Sequence, residues 1–186
     1  GEADVISAGN FHGEPIAVAM DSMKLSLTDM GNMSERRTAR LVDADCNDGV
    51  LPMFLTDQGG LESGLMIVQY TAAALASENK VLAHPATADT IPSSANTEDH
   101  VSMGATAVHH TKQVLDHTET IVAIELLAAA QAIDFRCRTL GITPSDMGRG
   151  TSLVYNLIRG RVPFLDHDSP PAPHIESVRR LVAQGK

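Results

Sequence analysis

Tryptophan is absent from this 186-residue chain, and aromatic residues make up only 3% of it. A core so short of large rings does not suit a sandwich of aromatic and β-branched strands; with alanine and methionine filling the space, closely packed helices are favoured. Cysteine is nearly absent too: Cys46 and Cys137 stand far apart, in no metal or redox spacing. A disulfide framework is therefore not expected, and two reduced thiols suit a cytoplasmic protein. Basic residues are outnumbered, 14 Lys and Arg against 23 Asp and Glu, for a formal charge of −9. Phosphate neutralisation needs clustered cations, so no nucleic-acid partner is expected. The pairs Arg36-Arg37 and Arg179-Arg180 are short and read as solvated helix faces. Neither a signal peptide nor a long uninterrupted apolar run occurs, so no membrane partner is expected.

What is present is a hydrophobic content of 43%, enough for a folded chain, and a length that suits one domain. Residues 1–186 are read as a single helical segment with no second domain. Gly1 to Glu14 is glycine-punctuated and partly extended, and Pro15 suits a first helical turn. Ile16, Ala19, Met20, Met23, Leu27 and Met30 recur at helical spacing, with Gly31-Asn32 expected to interrupt and Ser34 to restart or kink the helix. Asp43 to Gly64 reads as a long loop whose apolar run Val50 to Leu55 must pack on something, another subunit being one choice.

Leu65 to Ala83, with its alanine run, predicts a strong helix. Pro85 and Pro92 bound the next loop. A helix is then expected from near Asn96 to about Arg138, with Val108, Leu115, Val122, Leu126, Ala129 and Ile133 on one face. Such a rod is about 55 Å long at 1.5 Å per residue, and one short chain cannot cover it. Its apolar stripe needs neighbouring helices, from other subunits or other sequence. Shorter helices are predicted over Ser152 to Arg159 and His174 to Ala183.

Two segments concentrate chemistry. In Ser93-Ser94-Ala95-Asn96-Thr97-Glu98-Asp99-His100, Asn96 reads as a helix N-cap, with Asp99 completing a box and Glu98 near the positive helix end. The same geometry can aim a carboxylate into a cleft. In Gly9-Asn10-Phe11-His12-Gly13-Glu14-Pro15, two glycines flank a ring and an imidazole: a plain turn, or a rigid loop presenting a ring to a flat substrate. His109-His110, with His117 seven residues after His110, lie on one predicted helix; adjacent histidines face different sides of it and make a poor ligand pair, so no metal is expected. Ser77-Glu78-Asn79-Lys80 has Ser-x-x-Lys spacing but lacks companion motifs, and no dinucleotide fingerprint, P-loop or nucleophile elbow occurs. These patterns alone yield no reaction.

The two segments together resemble the histidine ammonia-lyases, within the aromatic amino-acid ammonia-lyase family. The likeness runs through Ser7-Ala8-Gly9-Asn10-Phe11-His12-Gly13-Glu14-Pro15, Met33 to Arg37, Ser63 to Gln69 and Thr71 to Lys80. It continues through Ser94-Ala95-Asn96-Thr97-Glu98-Asp99-His100-Val101-Ser102-Met103-Gly104, Ala123 to Gln131 and Ala172 to Ile175. It implies an all-α, long-helix bundle, the C-terminal part of the lyase fold. It also implies homotetramers with active sites built from several subunits. The implied reaction is elimination of ammonia from L-histidine to trans-urocanate, using a methylidene-imidazolone electrophile formed from Ala-Ser-Gly and a tyrosine base.

No Ala-Ser-Gly occurs here. The family carries that tripeptide and the tyrosine upstream, so the chain is expected to be a partial polypeptide whose partner is the N-terminal part of the lyase. By resemblance, Phe11 matches the aromatic residue beside the electrophile, and Glu98 the carboxylate that contacts the substrate imidazole. Relatives acting on phenylalanine or tyrosine typically carry glutamine there. Met66 and Tyr70 match positions lining the side-chain end of the pocket, with core packing the alternative for both. His12 is expected to hold its loop. Two other readings stand beside this one: a non-catalytic helical assembly or regulatory module, and a lyase or aminomutase for another aromatic amino acid.

Overall fold

The computed structural model describes residues 3–7, 9 and 11–185. Among them lie five α-helices: α1 (Glu14–Val42), α2 (Met66–Leu82), α3 (Gly104–Leu140), α4 (Arg149–Arg159) and α5 (Ala172–Ala183). Among the described residues there is no strand, only two isolated bridges, Gly59 with Glu62 and Ser93 with Glu98.

The long helices α1 and α3 run parallel in a fixed register. The Thr111 hydroxyl donates to the Met20 carbonyl at 2.9 Å and the Thr118 hydroxyl to the Leu27 carbonyl at 3.2 Å. The Ser34 hydroxyl donates to Glu125 at 2.6 Å. All three pairs are 91 residues apart in sequence, so contacts repeat every seven residues, the period at which two helices keep one seam in contact. Small residues (Ala17, Ala107, Gly31) and short polar ones (Thr38, Thr111, Thr118) line that seam, because closely spaced backbones leave no room for rings. Arg37 closes it with a two-pronged ion pair to Glu125.

α2 runs antiparallel to α1. Its Gln69 donates to buried Glu35 at 2.7 Å, and the chain just past its end, His84 and Thr87, meets Lys24 and Asp21. Leu127, Ile124 and Ile121 of α3 fill the core with Val68 and Ala72 of α2. α5 packs through Ile175 and Val178, and α4 is tied to α3 by Tyr155 and Arg159 on Asp134.

Several expectations need correction. α1 continues without a break through Gly31-Asn32. Gly31 sits where three helices meet: a Cβ there would lie 3.4 Å from Ile121 and 3.6 Å from the Asn79 amide, so the glycine admits a neighbour rather than ending the helix. Ser34 is buried mid-helix, not a new start. The run Val50 to Leu55 does pack, as expected, and it does so on the chain's own core through Leu51 and Leu55. α3 begins at Gly104, not near Asn96, because the backbone before it is spent on other bonds. Of the stripe expected on α3, Val108 and Leu115 are left exposed while Leu126 and Ile133 pack half-buried on the core; the face against α1 is the one carrying Thr111, Val114 and Thr118. α4 and α5 start three and two residues before their predicted starts, Ser152 and His174, and end where predicted.

Candidate functional site

Parallel packing of α1 and α3 puts both helix N-termini, and the loops that feed them, at one end of the bundle. Phe11 lies on the first loop and Glu98 on the second. Gly13 is the N-cap of α1, and a Cβ there would lie 2.8 Å from the Ser102 hydroxyl, so the loops touch closely and a side chain at this position would require Ser102 to shift. His12 joins them. Its Nε2 donates to the His100 carbonyl at 2.7 Å, while its Nδ1 accepts the Glu14 backbone N–H at 3.1 Å. One donor and one acceptor nitrogen define a neutral imidazole protonated at Nε2. The two imidazoles stack with centroids 5.3 Å apart, and Glu14 lies 3.8 Å from the His100 Nε2. His12 thus holds its loop, as expected, and holds the second loop as well. Ala8 and Asn10 of the expected first loop lie outside the described residues.

The Glu98 loop is a tight turn, not a helix cap. Ser94, Ala95 and Asn96 all take left-handed backbone angles, with φ of 52°, 54° and 70°. Such angles cost L-residues energy and persist only where surrounding bonds enforce them. Here Ser93 and Glu98 exchange backbone hydrogen bonds of 2.9 and 3.3 Å. Thr90 and Val101 close the outer ring: the Val101 N–H donates to the Thr90 hydroxyl at 2.8 Å, and that hydroxyl donates to the Val101 carbonyl. The Glu98 carboxylate is exposed, with the Ser93 hydroxyl 3.4 Å away as a donor. Phe11 is 89% exposed. One end of the bundle therefore presents an aromatic ring and a carboxylate on loops that are fastened together.

The start of the second loop is anchored from below. Lys24 is fully buried in α1; its ammonium lies 2.7 Å from Asp21 and donates to the His84 carbonyl at 2.8 Å. Asp21 accepts from the Thr87 N–H at 2.9 Å and from its hydroxyl at 2.8 Å. Burial alone would push the Asp21 carboxyl upward, but the bonds from Lys24 and Thr87 overcome it and hold the group well below the usual carboxylate range. No sequence pattern marked this pair, because an Asp and a Lys three residues apart look like any surface helix pair. A hollow of about 590 Å³ opens beside this anchor, walled by Pro85, Asp89, Ile91, Met103 and His110.

Met66 and Tyr70 lie elsewhere. They sit on the first turns of α2, Met66 half-buried and Tyr70 61% exposed. The neighbouring Gln69 meets Glu35, 21 residues along α1 from Glu14, which is about 30 Å at the helical rise. Within one chain the structure brings Phe11 and Glu98 to one end and Met66 and Tyr70 toward the other. A second cavity, of about 390 Å³, lies between the entry to α2 and residues 165–171, with Ile67, Gln131 and His167 in its wall. Asp168 accepts the Ser63 and Gly64 N–H groups there, both at 2.8 Å, and Glu62 holds His167 at 2.8 Å, which raises the affinity of that imidazole for its proton.

Among the described residues no three His, Cys, Asp or Glu side chains gather as a metal-holding group. On α3, His109 is exposed, His110 faces the larger hollow, and His117 bonds Asn79 at 2.9 Å.

A sequence profile described as aromatic amino acid lyase matches residues 1–160. A histidine ammonia-lyase of Chloroflexus aurantiacus is 57% identical over 186 residues, all of this chain and 35% of that protein. The crystal structure of histidine ammonia-lyase from Trypanosoma cruzi superposes with a TM-score of 0.89 at 42% identity, covering 100% of this chain and 35% of that one. A tyrosine aminomutase from Streptomyces globisporus superposes with a TM-score of 0.88 at 36% identity, covering 98% of this chain and 34% of its own. The chain thus spans about a third of the length of the relatives it matches.

Proposed function

Because the chain belongs to the aromatic amino acid lyase family, we propose that it is part of a histidine ammonia-lyase, which eliminates ammonia from L-histidine and leaves trans-urocanate. The observation that carries this reading is the fastening of the Phe11 loop to the Glu98 loop by His12. Relatives named histidine ammonia-lyase, identical at 57% and 50% of aligned positions, support the choice of substrate.

The reaction is hard because an amine leaves poorly and a β-proton is weakly acidic, so an electrophile and a base are both needed. A methylidene-imidazolone group, formed from an Ala-Ser-Gly that this sequence does not contain, supplies the electrophile when present. The residues here fit a flat group of that kind, since Phe11 offers an exposed ring on a loop that is held in place. Phe11 stacks against planar matter, whether prosthetic group or substrate imidazole. Glu98 accepts the imidazole N–H in a charge-assisted hydrogen bond and relays a proton there. The Ser93 hydroxyl orients that carboxylate.

Met66 and Tyr70 complete a pocket by lining the side-chain end of one in a neighbouring copy, since the bundle separates them from Glu98 of their own chain. That arrangement needs a homo-oligomer, here a homotetramer. The exposed Met23, Met30 and Met33 of α1 and Leu115 of α3 offer apolar surface for it.

The test is absorbance in the urocanate band after L-histidine is added to the polypeptide that carries this segment, with phenylalanine and tyrosine in parallel. Histidine turnover is expected, and Glu98→Gln is expected to lower it by about 10² to 10⁴, the scale of positioned acid–base groups. Turnover of tyrosine or phenylalanine in preference would replace the substrate; unchanged turnover by Glu98→Gln would remove Glu98 from the reaction.

A further inference from the structure

We propose that His12 is a positioning residue: its imidazole couples the loop carrying Phe11 to the loop carrying Glu98, so that ring and carboxylate act at a fixed separation. This rests on the lyase reading for its consequence, but not for its geometry.

The two loops are joined end to end by three contacts. The His12 Nε2–H reaches the carbonyl of His100, two residues after Glu98, at 2.7 Å. Its ring lies on the His100 ring at 5.3 Å and 22°. Gly13 lies against Ser102, whose hydroxyl would be 2.8 Å from a Cβ at that position. On the opposite edge of the His12 ring, Nδ1 takes the Glu14 N–H and so ties the imidazole to the first turn of α1. A side chain with one donor and one acceptor in this relation is required, which limits the position to histidine or to an amide that imitates it. Nothing else among these contacts links the two loops through a side-chain hydrogen bond. The Glu98 turn is held from its own side by Thr90, Val101 and the Ser93 bridge. His12 therefore adds to bonds that already close that turn: it steadies the turn against opening and sets where it sits relative to Phe11.

A misplacement of about 1 Å can cost about 10²-fold in rate. In the assembled enzyme, His12→Ala is expected to lower kcat about 10²-fold while KM for histidine moves by about threefold or less, and His12→Gln, whose amide restores both bonds, is expected to recover most of the loss. In a Glu98→Gln background, His12→Ala is expected to cost little more, because the group being positioned has lost its role. A purely structural His12 predicts instead that the two losses multiply and that glutamine does not rescue; either result overturns the proposal.

A second readout needs no activity. Backbone amide exchange over residues 93–98 and at Glu14 is expected to quicken in His12→Ala and to return toward the parent rate in His12→Gln. Unchanged exchange in His12→Ala overturns the coupling. If the parent protein leaves histidine untouched, the lyase reading fails, and the coupling stands or falls on the exchange alone.

Discussion

Lys24 and Asp21 carry the largest single-residue consequence outside the reacting groups. Both are buried, and each supplies what the other needs: the ammonium satisfies a carboxylate and a carbonyl, and the carboxylate satisfies the turn at Thr87. Removing one partner leaves a buried charge alone, which costs about 3–5 kcal/mol. Lys24→Met is expected to lower the unfolding free energy by about that much in a denaturant titration. The pH dependence has a definite sign. A carboxyl held below its unfolded value adds stability above the ordinary carboxylate pKa, and loses it as pH falls toward the folded value. Acid unfolding of the parent protein should therefore steepen below about pH 4, the usual aspartate range, and Lys24→Met should flatten that limb. An acid limb unaltered by the substitution would show that the pair contributes nothing.

Among the elements, the α1–α3 pair decides most. The period of seven in its cross-helix bonds follows from Thr111, Thr118 and Glu125, none of them apolar. Gly31 tests how tight the seam is. In an isolated helix Gly31→Leu would gain propensity of about 1 kcal/mol. Here it is expected to destabilise by about 1–3 kcal/mol, because a Cβ is already 3.4 Å from Ile121 and a longer side chain has nowhere to go. Thermal unfolding reads the sign: a raised midpoint would mean the helices yield. The seam also explains why the N-terminal part of the predicted α3 stripe, Val108 and Leu115, is exposed in the single chain while Leu126 and Ile133 further along pack on the core. Val108 and Leu115 look like core in the sequence, yet threonines fill the inner positions because their hydroxyls bond the facing carbonyls of α1 at short range. The helix start expected at Asn96 failed for a related reason: three left-handed residues and a closed ring of hydrogen bonds formed a turn where propensity suggested a cap.

At the scale of the whole molecule, the exposed methionines of α1 and the split between Phe11 with Glu98 and Met66 with Tyr70 lead to one expectation. The assembled enzyme should be a tetramer by light scattering, and the double substitution Met23→Glu, Met30→Glu should dissociate it and abolish histidine turnover together. Each charge would place an ionised group where burial costs several kcal/mol. An active monomer would refute the shared site. Circular dichroism of the variant distinguishes dissociation from unfolding, since both methionines are exposed in the single chain, at 51% and 43%, and hold none of its own core.

The sequence by itself determined the helical class, the extent of α2 to within a residue, the long loop over residues 43–64, the family resemblance, and the two residues Phe11 and Glu98 that stand out in it. Those features are local: helical periodicity, proline and glycine placement, and contiguous motifs are legible along a chain. The tertiary structure alone decided that α1 and α3 run parallel, so that loops almost ninety residues apart meet through His12 and His100. It also decided that α2 runs the other way and carries Met66 and Tyr70 from that end, and that a buried Lys24 holds the loop between. Helix direction and register depend on which side chains fit between two backbones, and that depends on pairs of residues no local pattern connects.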